Sequence, residues 1–123
     1  MLVVDDDAGF RSVALRILTA SGFRVVGEAD TYAAGLAAAR DLRPAAVLVD
    51  ARLPDGDGIA LSLELRELPW RPRVLLTSSD GDVAGQAAAA DRVNQLAFVP
   101  KADLPNAPLS ALLDGDGPGW GQS

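Results

Sequence analysis

The chain has 123 residues, 49% hydrophobic, 23% charged and 5% aromatic, which is the composition of one globular domain long enough to bury a core. A net charge of −6 excludes a broad basic footprint for nucleic acid. With no cysteine and no histidine, disulfide frameworks, thiolate and imidazole metal sites, Ser-His-Asp chemistry and any phosphohistidine on this chain are also excluded, and chemistry falls to carboxylates, hydroxyls, Lys and Arg.

No apolar run approaches the ~18 residues of a membrane span. The opening Met1-Leu2-Val3-Val4-Asp5 lacks the basic-then-apolar order of a secretory leader. The expectation is a soluble, cytoplasmic protein.

Short apolar runs alternate with helical stretches along the chain. Leu2-Val3-Val4 is a strand, ended at once by three aspartates. Phe10, Val13, Ala14, Ile17 and Leu18 recur at helical spacing, and Gly22 supplies the stop. A second strand is expected over 24–29, then Asp30 or Thr31 caps a helix carrying Ala34, Leu36, Ala37, Ala38 and Leu42. Ala45-Ala46-Val47-Leu48-Val49 is the continuous apolar run of a strand buried on both faces, closed by Asp50. Pro54-Asp55-Gly56-Asp57-Gly58 is loop chemistry. Ile59, Leu61, Leu63 and Leu65 alternate as a strand would, but Leu, Ala and Glu favour helix and the strand–helix rhythm asks for one. Arg73-Val74-Leu75-Leu76-Thr77 is a fourth strand, a helix is expected over about 83–92, and Leu96-Ala97-Phe98-Val99 is a fifth strand. Pro105 and Pro108 admit a last helix only from about Ala107 to Leu113. Residues 1–114 form the domain, and 115–123 read as a flexible Gly-rich tail or linker stub.

Five strand–helix repeats imply an α/β fold: three layers, a doubly wound (βα)5 unit with a parallel five-stranded sheet. In such sheets ligands bind at the carboxyl ends of the strands. There stand Asp5, Asp6 and Asp7, then Asp50, then Thr77-Ser78-Ser79, then Lys101 across Pro100. Carboxylates about 4 Å apart repel by ~4 kcal/mol per pair at an effective dielectric of 20. A hard divalent cation held by carboxylates, a carbonyl and water relieves this, and the modest ligand count suits Mg²⁺. A carboxylate beside Mg²⁺, a Lys and a hydroxyl can attack phosphorus and form an acyl phosphate, provided the donor is already high-energy.

Val3-Val4-Asp5-Asp6, then Val47-Leu48-Val49-Asp50 with Arg52-Leu53-Pro54-Asp55-Gly56-Asp57-Gly58, then Val74-Leu75-Leu76-Thr77-Ser78-Ser79, then Phe98-Val99-Pro100-Lys101 resembles the receiver domain of two-component response regulators, a flavodoxin-like fold. The resemblance runs from residue 2 to about 113. It implies Asp50 as phosphoacceptor from a partner histidine kinase or phosphotransfer protein. Asp5 and Asp6 would place Mg²⁺ together with Asp50 and the backbone carbonyl of Arg52. Ser78 would be the switch hydroxyl (Thr77 if the strand is one residue out of register), Lys101 the phosphoryl-pairing lysine and Phe98 the switch aromatic. The output would be an altered surface for a partner protein or output domain, with no DNA or membrane binding by this chain. Arg52 and Asp80 would pair across the mouth and shield the acyl phosphate. The face built by the fourth helix, fifth strand and fifth helix serves many receivers as a dimer surface; Pro105 and Pro108 shorten it here.

Simpler roles are weighed beside these. Asp7 reads as the N-cap of the first helix, Ser78 and Ser79 could cap the next one, and Phe98 could be plain core. Asp55 and Asp57 read as solvated turn residues, Trp70 as a loop residue over apolar surface, and Trp120 has no role. The rival functions are a pseudo-receiver that binds partners without phosphorylation and an aspartyl-nucleophile phosphatase. Against the latter, Arg52 occupies the place of the second acid such enzymes usually carry.

Overall fold

The structure, a computed structural model, describes residues 1–79 and 97–109. Its elements in chain order are β1 (Leu2–Val4), α1 (Ala8–Ala20), β2 (Gly27–Ala29), α2 (Tyr32–Leu42), β3 (Ala46–Asp50), β4 (Arg52–Leu53), β5 (Gly56–Asp57), α3 (Gly58–Arg66), β6 (Arg73–Ser78), β7 (Ala97–Pro100) and a 3₁₀ segment over Lys101–Asn106. Five strands form one parallel sheet in the order β2-β1-β3-β6-β7. The chain order reverses between β1 and β3, so their carboxyl ends open a crevice. The expected helix over 83–92, Asp80, most of the last helix and the tail with Trp120 lie outside the described residues.

Strand alternation sorts the core into two layers. Val3, Leu48, Leu75 and Val99 pack with Ala14, Leu18, Leu104 and Leu109 on the α1 side. Leu2, Val4, Val47, Val49 and Val74 pack with Ala39, Leu61 and Leu65 on the α2–α3 side. β3 is buried along its whole length, as a strand sandwiched between helices must be.

Most helix ends are set as their residues suggest. Asp7 caps α1 by accepting from the Phe10 amide, and Thr31 caps α2 by accepting from Ala34. Gly22 takes φ +95°, the left-handed conformation of a helix stop.

Three expectations need correction. The second strand is only Gly27–Ala29: β1 offers just three partners, and Phe23 and Val25 turn into the α1-side core instead of pairing. Asp57 is the N-cap of α3, accepting from Ile59, and Asp55 binds the Tyr32 and Ala33 amides, so neither is merely solvated. The loop after β3 contains a hairpin, with Arg52 opposite Asp57 and Leu53 opposite Gly56. The ambiguous stretch is helical, as expected, and Trp70 donates its indole N–H to the Pro44 carbonyl at 2.9 Å under the Arg43 guanidinium.

Candidate functional site

The carboxyl ends of β1, β3 and β7 bring four charged side chains to one rim. Asp5 lies two residues beyond Val3 and Asp50 two beyond Leu48, so both follow positions that face α1. Both are buried, with 1% and 5% of their surface exposed, while Asp6 is exposed. A carboxylate oxygen from each of Asp5, Asp6 and Asp50 lies within 4.8 Å of the other two. The Lys101 Nζ stands 2.8 Å from Asp5 Oδ2 and 3.3 Å from Asp50 Oδ2. The remaining oxygens are held by the backbone: the Asp7 amide donates to Asp5 Oδ1 at 2.8 Å, and the Arg52 amide to Asp50 Oδ1 at 3.1 Å.

This packing shifts the charges. Burial pushes the Asp50 carboxyl above its usual range; the Arg52 amide pulls the other way, the charge of Asp5 adds to the rise and Lys101 opposes it. Burial would lower the Lys101 ammonium, but contact with Asp5 and Asp50 outweighs it and the net shift is upward. The lysine is therefore a fixed cation at neutral pH.

Asp6, Asp7, Asp50, Arg52, Leu53, Pro54, Ser79 and Lys101 line an open cleft of about 490 Å³. Ser78 does not line it. Asp50 is in register with Thr77, so Ser78 sits one residue further along β6, buried, with its hydroxyl donating to the Ser79 carbonyl at 2.8 Å. The Thr77 hydroxyl is spent on the Val49 carbonyl. Phe98 is half-buried against Ala51, Ile59 and Leu76. Asp7 is occupied as a cap and through its own amide.

A hard cation fits the donor set. All the donors are oxygens, and the buried Asp5 Oδ2 shares Lys101 with Asp50, so three carboxylates at the rim carry more negative charge than that one ammonium balances. Excess buried negative charge is costly unless a further cation answers it.

Several supporting residues stand outside the set expected from the sequence. A Cβ on Gly58 would meet the Asp50 carbonyl oxygen at 1.8 Å, so only glycine lets α3 begin this close to β3. The Arg11 guanidinium reaches the Asp5 carbonyl and pairs with Glu28 at 3.0 Å, bracing the acidic turn. Lys101 also lies over the Phe10 ring, 4.5 Å from its centroid. Only the glycine is foreshadowed, by its place after the run Pro54-Asp55-Gly56-Asp57; the other two depend on neighbours that local pattern does not reveal.

Residues 1–105 match the family model of the response regulator receiver domain. The chain belongs to that family. Among similar curated proteins, the chemotaxis protein CheY of Bacillus subtilis is 32% identical, covering 66% of this chain and 68% of its own. The photosynthetic apparatus regulatory protein RegA of Rhodobacter capsulatus is 32% identical over 92% of this chain and 60% of its own. The KDP operon transcriptional regulatory protein KdpE of Escherichia coli is 34% identical over 74% and 40%. Of RegA and KdpE the match thus spans less than two-thirds. Among solved structures, the signal receiver domain of NarL from Mycobacterium tuberculosis superposes with a TM-score of 0.72 at 32% identity, over 90% of this receiver and 93% of that chain. The receiver domain of NtrX from Brucella abortus gives 0.70 at 27% identity, over 90% and 96%. The five-stranded parallel architecture of this receiver is the one those neighbours share. Among the described residues, no helix is long and apolar enough to cross a membrane.

Proposed function

We propose that this receiver is a phosphorylation switch whose acceptor is Asp50. The observation that carries the reading is the pairing of the buried Asp50 carboxylate with Lys101 Nζ at 3.3 Å, inside a cluster with Asp5 and Asp6 that opens to a cleft.

The donor is a phosphohistidine on a partner histidine kinase or phosphotransfer protein, since this chain has no histidine. An Asp50 carboxylate oxygen forms a bond to phosphorus while the P–N bond breaks, and the imidazole leaves with the electron pair and takes a proton. The Arg52 amide keeps Asp50 in line for this attack by holding its Oδ1. Lys101, already charged, moves from the Asp50 carboxylate to the phosphoryl oxygens. Asp5, Asp6 and Asp50, with the Arg52 carbonyl, would hold Mg²⁺. When bound, that ion supplies neutralising charge to the transferring phosphoryl group.

The new oxygens give Ser78 a partner it lacks in the present arrangement, where it donates to Ser79. Rotation of that hydroxyl into the cleft would move the segment after β6 and let Phe98 turn further into the apolar cluster around Ile59. Contacts that exist in only one state can shift a two-state equilibrium by ~1–3 kcal/mol. The switched surface acts on an output domain or partner protein in the cytoplasm.

The test is treatment with acetyl phosphate and Mg²⁺, followed by mass spectrometry. One phosphoryl group should be gained, stable in acid, labile in base and absent from Asp50→Asn. A chain that folds but takes no label is a pseudo-receiver. Steady turnover of a phosphate ester would instead indicate the phosphatase.

A further inference from the structure

We propose that Phe10 is a positioning residue for Lys101, an aromatic seat that keeps the ammonium in the cleft without occupying its N–H donors. The inference rests on the phosphorylation reading above.

The geometry defines three sides of the lysine. Asp5 Oδ2 stands at 2.8 Å, Asp50 Oδ2 at 3.3 Å, and the Phe10 ring centroid at 4.5 Å. Phe10 lies in the first turn of α1, directly after the acidic turn, and its body packs against the α1-side core. The ring therefore cannot follow the lysine; the lysine must come to the ring. At 17% side-chain exposure, Lys101 keeps little water, which places a cation–π contact toward the stronger end of its range.

The chemistry explains why an aromatic suits this position. Once Asp50 carries the phosphoryl group as an acyl phosphate, it no longer presents the carboxylate that Lys101 holds, and the ammonium must reach the phosphoryl oxygens. A third carboxylate at position 10 would compete with the phosphoryl group for the lysine. An alkyl side chain would offer the ammonium no attraction on this side, leaving Asp5 alone to hold it once Asp50 is phosphorylated. A ring face attracts the cation, ignores its hydrogen-bond directions and yields to a stronger anion. It keeps Lys101 near while leaving it free to change partner.

The experiment compares the full chain with Phe10→Leu, Phe10→Tyr, Lys101→Met and the Phe10→Leu/Lys101→Met double variant. The readout is the Mg²⁺-dependent labelling rate with acetyl phosphate, with thermal melts as a check on folding. Phe10→Leu should slow labelling about tenfold, the effect of losing a desolvated cation–π contact. Phe10→Tyr, which keeps the ring face, should stay within about twofold of the parent. In the Lys101→Met background, Phe10→Leu should add nothing further. Equal rates for Phe10→Leu and the parent overturn the seat, as does an equal slowing with and without Lys101, which would make Phe10 a packing residue only. If Phe10→Leu does not fold, Phe10→Met, long and apolar without a ring, takes its place with the same expectations. A parent chain that folds but takes no label overturns the phosphorylation reading itself, whereas a labelled parent with an indifferent Phe10 variant overturns the seat alone.

Discussion

At position 58 two physical effects oppose each other. Gly58 opens α3, where alanine would gain up to about 1 kcal/mol in helix propensity. The added Cβ, however, would stand 1.8 Å from the Asp50 carbonyl oxygen and 2.8 Å from the Ala51 Cα, both backbone atoms that cannot rotate away. Gly58 also donates its amide to the Ala51 carbonyl at 2.9 Å and accepts the Ser62 hydroxyl at 2.8 Å. Sterics therefore win. Gly58→Ala should lower the unfolding free energy by at least about 2 kcal/mol, read from the urea midpoint, and should cut acetyl phosphate labelling because Asp50 is displaced. A more stable variant would show that α3 can slide along the sheet. Asp5, Asp6, Asp50 and Lys101 were legible in the sequence because each follows a short apolar strand, where topology places ligands. Arg11 and Phe10 were not, because their meaning lies in atoms elsewhere along the chain, and Gly58 was marked only by its place in the loop run.

The β4–β5 hairpin shows how one element holds another. Asp55 at its turn spans the first two amides of α2, with Oδ1 on Tyr32 at 2.6 Å and Oδ2 on Ala33 at 3.1 Å. These are unpaired donors at the positive end of a helix dipole, and they draw the Asp55 carboxyl below its usual range, the Tyr32 bond first. The folded state thus prefers the ionised form more than the unfolded chain does. That preference contributes stability above the ordinary carboxylate pKa of about 4, and the contribution is lost as pH falls through the lower folded value. The stability difference between the parent and Asp55→Ala should therefore be largest near neutrality and should close in strong acid, as measured by urea midpoints across a pH series. A gap independent of pH would place the role of Asp55 in loop geometry rather than charge. Element boundaries followed the same logic of neighbours. α3 looked like a strand because Ile59, Leu61, Leu63 and Leu65 alternate, yet its buried face includes Gly58, Leu61, Ser62 and Leu65, a helical spacing hidden by two small residues. β2 looked longer because Val25 and Val26 read as strand, whereas β1 sets the pairing length.

For the molecule as a whole, the rhythm of strands and helices was enough to give a parallel sheet with helices on both sides. The placing of β1 beside β3, which makes the acidic rim, is what a doubly wound sheet allows, and the strand order β2-β1-β3-β6-β7 has it. That placement concentrates repulsion. Asp5 and Asp50 share Lys101, whereas Asp6 brings a further negative charge close to both on a chain already at −6. Three carboxylates within 4.8 Å of one another favour a bound cation, and Mg²⁺ binding would turn the same charge into stabilisation. Asp6→Asn removes the repulsion without disturbing either lysine pair, so in chelator it should raise the melting midpoint, by an amount corresponding to about 1 kcal/mol for a partly solvated charge in this range. The parent should gain about 2.7 kcal/mol when Mg²⁺ reaches a hundredfold excess over its dissociation constant, and Asp6→Asn should lose most of that gain. Thermal melts of both chains, in chelator and across a Mg²⁺ titration, measure the two effects together. If Asp6→Asn were less stable in chelator and equally responsive to Mg²⁺, the aspartate would be a structural residue of the turn, and the cation would have to be held without it.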